Sequence, residues 1–477
     1  MPAIKAVKND GTNIVLEESV VEAFETVLRG DLIKEGSPNY DEVRQVWNGL
    51  IDRRPALIVR CSGVADIIEA VNFVAAYKLL LSIRGGGHNV AGSAVCDGGI
   101  VIDLSLMKGI FVDPQKHTAR AQGGVTWAEL DRETQVFGLA TPGGVVSTTG
   151  IAGLTLGGGI GHLRSKYGMS CDNLLSVDLI TADGNFLTAS ETENSDLFWA
   201  LRGGGGNFGV VTSFEFQLHP VGPTVFLCAP WYPAEIAGDV IRFWRDFCKT
   251  APDELSTSAV FWSIPPAPDI PEEMHGKDII IPMGAFCGPV EEGENIVKPL
   301  RELSTPLVDM SGPVPYTALQ TAFDAFFPKG ELLYYFKSLQ LNTLDDEVIE
   351  AIAARAIHRP SLKTLVPIWY LGGAMSRVGA TETAFGDRSS LFLLSIDTVW
   401  DNPKDTEENL FWARQFWADI KSYSSGAIYI NFPGFGEERE DLVRAAYGAN
   451  YDRLTALKKK YDPDNLFRVN QNIKPAT

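Results

Sequence analysis

The stretch SIRGGGHNVAG, residues 82–92, sets three consecutive glycines between Arg84 and His88 at the end of the apolar run LLLSIR (79–84). Backbone N–H groups without side chains can converge on an anion, so a strand that empties into such a loop builds either a diphosphate cradle or a tight turn. Upstream, PALIVRC (55–61) reads as a buried strand. SGVADIIEAVNFVAAYK (62–78) reads as a helix capped by Ser62, with Val64, Ile67, Ile68, Val71, Val74 and Ala75 on one face. LLLSIR then returns as a strand, which completes a βαβ unit. Further on, GIVIDLS (99–105) is a third strand, TWAELDRETQVF a helix stopped at Gly138, and LLSVDLITADGNFLTA (174–189) two strands joined by an Asp-Gly turn.

Glycine clusters recur through this half: TPGGV (141–145), GLTLGGGIG (153–161) and LRGGGGNFGVV (201–211) follow the first. Four such loops point to one extended ligand touched repeatedly by backbone. From about residue 221 the texture changes to aromatic-rich runs, AVFWS, DIIIPMGAFCG, TLVPIWYLGGA and SLFLLSIDTVW, which read as an antiparallel sheet with covering helices. The C-terminal stretch brings GAIYINFPG, a helical region through LVRAAYG and LTALKKKYD, and the polar tail DPDNLFRVNQNI.

The bulk properties narrow the function. A formal charge of -19 repels both a phosphate backbone and an anionic membrane surface, so nucleic acid and membrane partners are set aside. No basic leader precedes an apolar stretch, and no run reaches the length that spans a bilayer, which gives a cytoplasmic expectation. The six cysteines are scattered without a C-x-x-C pair, so no metal site is expected and the thiols read as buried. Oligomeric state has no signal in the sequence.

SIRGGGHNVAG, the run from Gly138 to Gly184, FWALRGGGGNFGVVTSFEF and YDPDNLFRVNQNI together resemble the FAD-linked oxidases of the berberine bridge enzyme-like group, in the vanillyl-alcohol oxidase and p-cresol methylhydroxylase (PCMH) superfamily. The middle region matches only through YYFKS and GGAMSRVGATETAFGDR. The resemblance implies an α+β fold of two domains: a PCMH-type FAD-binding domain from residues 1–220 plus 425–477, and a substrate domain, 221–424, on an antiparallel sheet covered by helices. It implies FAD joined covalently to His88, and at that position alone, because Val146 stands where many members place a second, cysteinyl link. Further flavin contacts carry over to Gly85, Gly86, Gly87 and Asn89, to Thr141, Pro142 and Gly143, and to Thr148, Gly150 and Gly153. Asp172, Asn173, Val211, Asn470 and Asn472 complete that set. Thr149 occupies the position that gates oxygen access.

By the same resemblance Tyr429, in a Tyr-x-Asn pattern, is the proton-abstracting base, and Lys337 is the cation that would lower its pKa. The plain alternatives are a core aromatic on a strand and a solvated lysine. Tyr335, Trp369 and Tyr370 are expected to line the substrate side, while His162, His117, His219, His275 and His358 read as structural or exposed. The implied reaction moves a hydride from an alcohol carbon of a sugar or secondary metabolite, or from an amine carbon, to FAD, and the electrons then reduce O2 to H2O2. Three rivals stand beside it: a non-redox cyclase that keeps FAD as scaffold, a flavin dehydrogenase with another acceptor, and an NAD site at GGGIG, which lacks the strand and downstream acid of a Rossmann unit.

Overall fold

The computed structural model describes residues 4–266, 270–434, 436 and 440–477. Its first layer is the βαβ unit. Strands Leu57–Arg60 and Leu81–Arg84 flank Ile100–Asp103 in parallel, and Asp31–Lys34 adds an antiparallel edge. Parallel strands covered on both faces need no alternation, and Leu57, Ile58, Val59, Ile100, Val101 and Ile102 are accordingly all buried. Helix Val64–Tyr77 supplies the cover with Ile67, Ala70, Val71 and Val74. Its cap falls on Gly63 rather than Ser62. The buried Asp66 carboxylate in its first turn accepts from the backbone N–H groups of Ser62 at 2.7 Å, Arg29 at 2.8 Å and Gly30 at 3.1 Å, so no Ser62 hydroxyl cap is made.

A second, five-stranded antiparallel sheet runs Phe186–Ser190, Leu174–Ile180, Val210–Gln217, Thr118–Gln122, Ile110–Asp113. Helix Trp127–Gln135 covers it and starts at Thr126, whose backbone N–H is held by Glu129 at 2.8 Å. Helices Glu440–Tyr447 and Tyr451–Tyr461 pack on the same core, and the tail inserts Leu466 and Phe467 into the first core and Ile473 into the second.

The third layer is a nine-stranded antiparallel sheet. Its central run is Pro230–Pro233, Asp278–Phe286, Leu255–Ser263, Val366–Tyr370, Phe392–Trp400, Leu333–Leu341. Alternation divides each strand. Leu333, Tyr335, Leu339, Leu394 and Ile396 face helices Ala237–Cys248, Asp346–Ala356 and Thr406–Ile420, whereas Tyr334, Phe336 and Val399 face the opposite side with Trp47. Among the described residues no helix is long and apolar enough to cross a membrane.

Candidate active site

The glycine loops, the tail and the open face of the large sheet surround a cavity of about 340 Å³. The first glycine loop leaves the carboxyl end of Leu81–Arg84, where open α/β sheets place ligands. Its base is fixed by a buried ion pair, with Arg84 Nε 3.0 Å from Asp103 Oδ1. Burial works against the Asp103 carboxylate, but the hydrogen bond and charge of Arg84 outweigh it and hold the pKa below the ordinary aspartate value.

Gly86 and Gly150 touch backbone to backbone. A Cβ on Gly86 would lie 2.3 Å from Gly150 N, and one on Gly150 would lie 2.4 Å from Gly86 N. Only glycine at both positions lets the two loops form one cradle. His88 sits at the end of this contact, its Nε2 2.9 Å from Thr148 Oγ1 and its Nδ1 3.4 Å from Thr149 Oγ1, with Trp47 stacked on the ring at 4.5 Å. Desolvation, with the charge of Lys329 behind it, pushes the His88 pKa down to about 3. The imidazole is therefore neutral at physiological pH, and one ring nitrogen always carries a lone pair.

Of the residues assigned to the cofactor, Gly85, Gly86, Gly87, His88, Asn89, Thr149, Gly150, Gly153, Val211 and Asn470 line the cavity. The others stand behind it. Thr148 reaches it through His88, and Gly143 packs on Trp127, beside buried Thr141 and Pro142. Asp172 is withdrawn from the wall because buried Arg388 takes both its oxygens, at 2.7 and 2.9 Å. Asn173 donates to the Tyr167 and Met169 carbonyls, and its Oδ1 lies 2.6 Å from His219 Nε2. Asn472 is also absent from the lining.

On the opposite wall Tyr429 lies in an irregular segment outside any strand, fully buried, with its phenol at the cavity. Its oxygen accepts from Asn431 Nδ2 at 2.8 Å and from the backbone N–H groups of Gly159 at 3.1 Å and Ile160 at 3.3 Å. Gly159, at φ +91°, makes the left-handed turn that aims the two amides. Desolvation dominates and pushes the phenol up to about 12, although the three donors favour its anion.

Lys337 does not provide the expected cation. Strand alternation turns it to the helix face, where its ammonium sits 4.3 Å from the centre of the Trp417 ring, and it is absent from the cavity lining. Tyr335 and Tyr370 pack on that helix-side core for the same reason, while Trp369 does line the cavity. His162, read as structural or exposed, is a second correction: it lines the cavity, its Nε2 has no hydrogen-bond partner among the described residues, and burial pushes its pKa down to about 3. Trp47, Asn431, Phe336, Phe432 and Asp397 reach the site from distant segments. Of these, only Asn431 had a local signal, the Tyr-x-Asn spacing.

The FAD-linked oxidoreductase YgaK of Bacillus subtilis is 32% identical over 94% of this chain and 98% of its own length. The chain belongs to the FAD-linked oxidoreductases. The model of the FAD binding domain matches residues 55–190, and that of the berberine and berberine-like proteins matches 428–474, which brings Tyr429 and the tail within it. (R)-6-hydroxynicotine oxidase of Paenarthrobacter nicotinovorans is 31% identical over 94% of this chain and 97% of its own. The crystal structure of 6-hydroxy-D-nicotine oxidase from Arthrobacter nicotinovorans superposes with a TM-score of 0.82 at 29% identity, covering 94% of this chain and 98% of that one. Chitooligosaccharide oxidase shares the fold, with a TM-score of 0.84 at 24% identity over 96% of this chain and all of its own.

The cavity of this FAD-linked oxidoreductase fits the cofactor on its own residues. A side-chain-free cradle suits the diphosphate. Neutral His88 stands at the cradle's end, and in the tail Asn470 Oδ1 and Gln471 Nε2 are buried at the wall with no partner among the described residues.

Proposed function

We propose that this FAD-linked oxidoreductase is an oxidase of a small molecule, with FAD held by a single covalent bond from His88. Residues 1–220 with 425–477 hold the cofactor, and 221–424 hold the substrate. The observation that carries this reading is that the His88 imidazole and the Tyr429 phenol line one cavity whose floor is the glycine cradle. FAD, held by the glycine cradle and His88, would supply the two-electron acceptor for a hydride from the substrate carbon, with O2 as the final oxidant and H2O2 as its product. Tyr429 takes the proton from the substrate's oxygen or nitrogen, and Gly159, Ile160 and Asn431 stabilise the phenolate that must form first. Thr149, lining the cavity next to His88, leaves a small side chain where oxygen would enter.

Two measurements test this. Acid-precipitated protein should keep its yellow colour in wild type and lose it in His88→Ala; free flavin in the wild-type supernatant refutes the covalent bond. Substrate added without oxygen should bleach the chromophore, and admitted air should restore it with peroxide. Restoration only by an added dye would make the protein a dehydrogenase.

A further inference from the structure

Asp397 is the only carboxylate among the described residues that line the cavity. It lies on strand Phe392–Trp400 opposite Phe336, which meets Phe432 edge-on at 5.9 Å, and Phe432 in turn meets Tyr429 at 4.8 Å. Asp397 therefore occupies the sheet wall two ring contacts from the phenol. Its backbone is pinned by mutual hydrogen bonds with Leu365, 3.0 and 3.1 Å, and its carboxyl accepts from Ser395 Oγ. Among the described residues no lysine, arginine or histidine comes within ion-pair reach of it.

The wall around it is largely apolar, with Val260, Phe323, Phe327, Leu365, Pro367 and Trp369; the polar groups that line the same cavity include Ser256, Ser258 and Arg164, whose guanidinium is held by the Tyr370, Gly161 and Thr257 carbonyls. A sugar would present a hydroxyl on nearly every carbon to these apolar side chains, and each one left unmatched would weaken binding. A cation with an apolar body meets the opposite balance, because one carboxylate answers the charge while aromatic faces cover the rest.

We propose that Asp397 selects the substrate, and that the substrate is an amine that binds as its cation on an apolar ring or chain. This deepens the proposed oxidase and rests on it for the chemistry, though not for the binding. Asp397 is a specificity residue that holds the cationic nitrogen. Desolvation of this half-buried carboxyl, with no counter-charge beside it among the described residues, pushes its pKa up to about 7, and a bound cation would relieve it.

The test uses the purified protein as isolated and two probes of one shape, phenyltrimethylammonium and its neutral counterpart tert-butylbenzene, titrated by calorimetry. The cation should bind wild type more tightly than the neutral probe. Asp397→Asn should weaken the cation at least about tenfold and leave tert-butylbenzene unchanged, as expected for loss of a charge-assisted contact. Equal cation affinity in wild type and Asp397→Asn, or no cation binding at all, overturns the proposal. In turnover Asp397→Asn should raise KM for an amine and spare kcat. If sugars bleach the flavin with a KM indifferent to Asp397→Asn, the oxidase stands and the amine falls. If the protein carries no flavin yet binds the cation through Asp397, the oxidase falls and the site stands.

Discussion

Tyr429 is a neutral phenol at physiological pH, so the base role proposed for it carries a pH signature. Its pKa lies near 12, and the active phenolate grows about tenfold per pH unit below that value. The anaerobic bleaching rate should therefore climb through the neutral and alkaline range without a plateau. Tyr429→Phe should lower that rate by about 10²–10⁴ and abolish the slope, read by rapid-mixing absorbance. Asn431→Ala should shift the profile to higher pH, since it removes the shortest of three hydrogen bonds that favour the anion. At this scale the Tyr-x-Asn pattern pointed to Tyr429, which the structure places at the cavity, while Lys337, the cation expected beside it, is absent from the lining. Lys337 lies on the helix-covered face of its strand, a matter of parity along Leu333–Leu341 that YYFKS cannot reveal without knowing which face the helices take.

At the scale of the element, the first glycine loop depends on two things beneath it. Arg84 anchors it to Asp103, and replacing Arg84 by Ala leaves the buried carboxylate to Arg60 Nε, 3.4 Å away, and to the two donors of Ser105, with an expected cost of about 1–3 kcal/mol in urea unfolding. The pH dependence has a definite sign. Because the folded pKa of Asp103 is depressed, its contribution is complete above the ordinary aspartate value of about 4 and drains away as pH falls through the folded value. Acid unfolding should begin at higher pH in Arg84→Ala than in wild type. The second support is the backbone contact of Gly86 with Gly150, where Gly86→Ala should part the loops and yield protein with little or no flavin absorbance. The loops themselves were legible, since glycine repeats after a strand are visible in the chain. Their mutual contact joins positions 86 and 150, and no local pattern records it.

Across the whole molecule the cavity is a seam between layers, held by residues far apart in sequence. Trp47 stacks between His88, at 4.5 Å, and Tyr334, at 3.7 Å, and donates to the Phe327 carbonyl at 3.0 Å, so it ties the cradle to the large sheet. Trp47→Ala should cost about 3–5 kcal/mol and lower flavin retention together, checked by thermal melting with absorbance at both protein and flavin bands. Arg388 with Asp172 makes a second tie, and it explains why a residue expected at the flavin is spent on joining the layers. The linear chain by itself determined the main strands and helices around the glycine loops, the α+β class and the family, because strand runs and glycine clusters are local patterns that propagate only over neighbouring residues. Tertiary packing alone decided which side of the large sheet faces the cofactor, and hence that Trp369 and Asp397 meet the cavity while Lys337, Tyr335 and Tyr370 do not. A strand exposes both faces equally until helices claim one of them, and that choice is made by surfaces coming together in space.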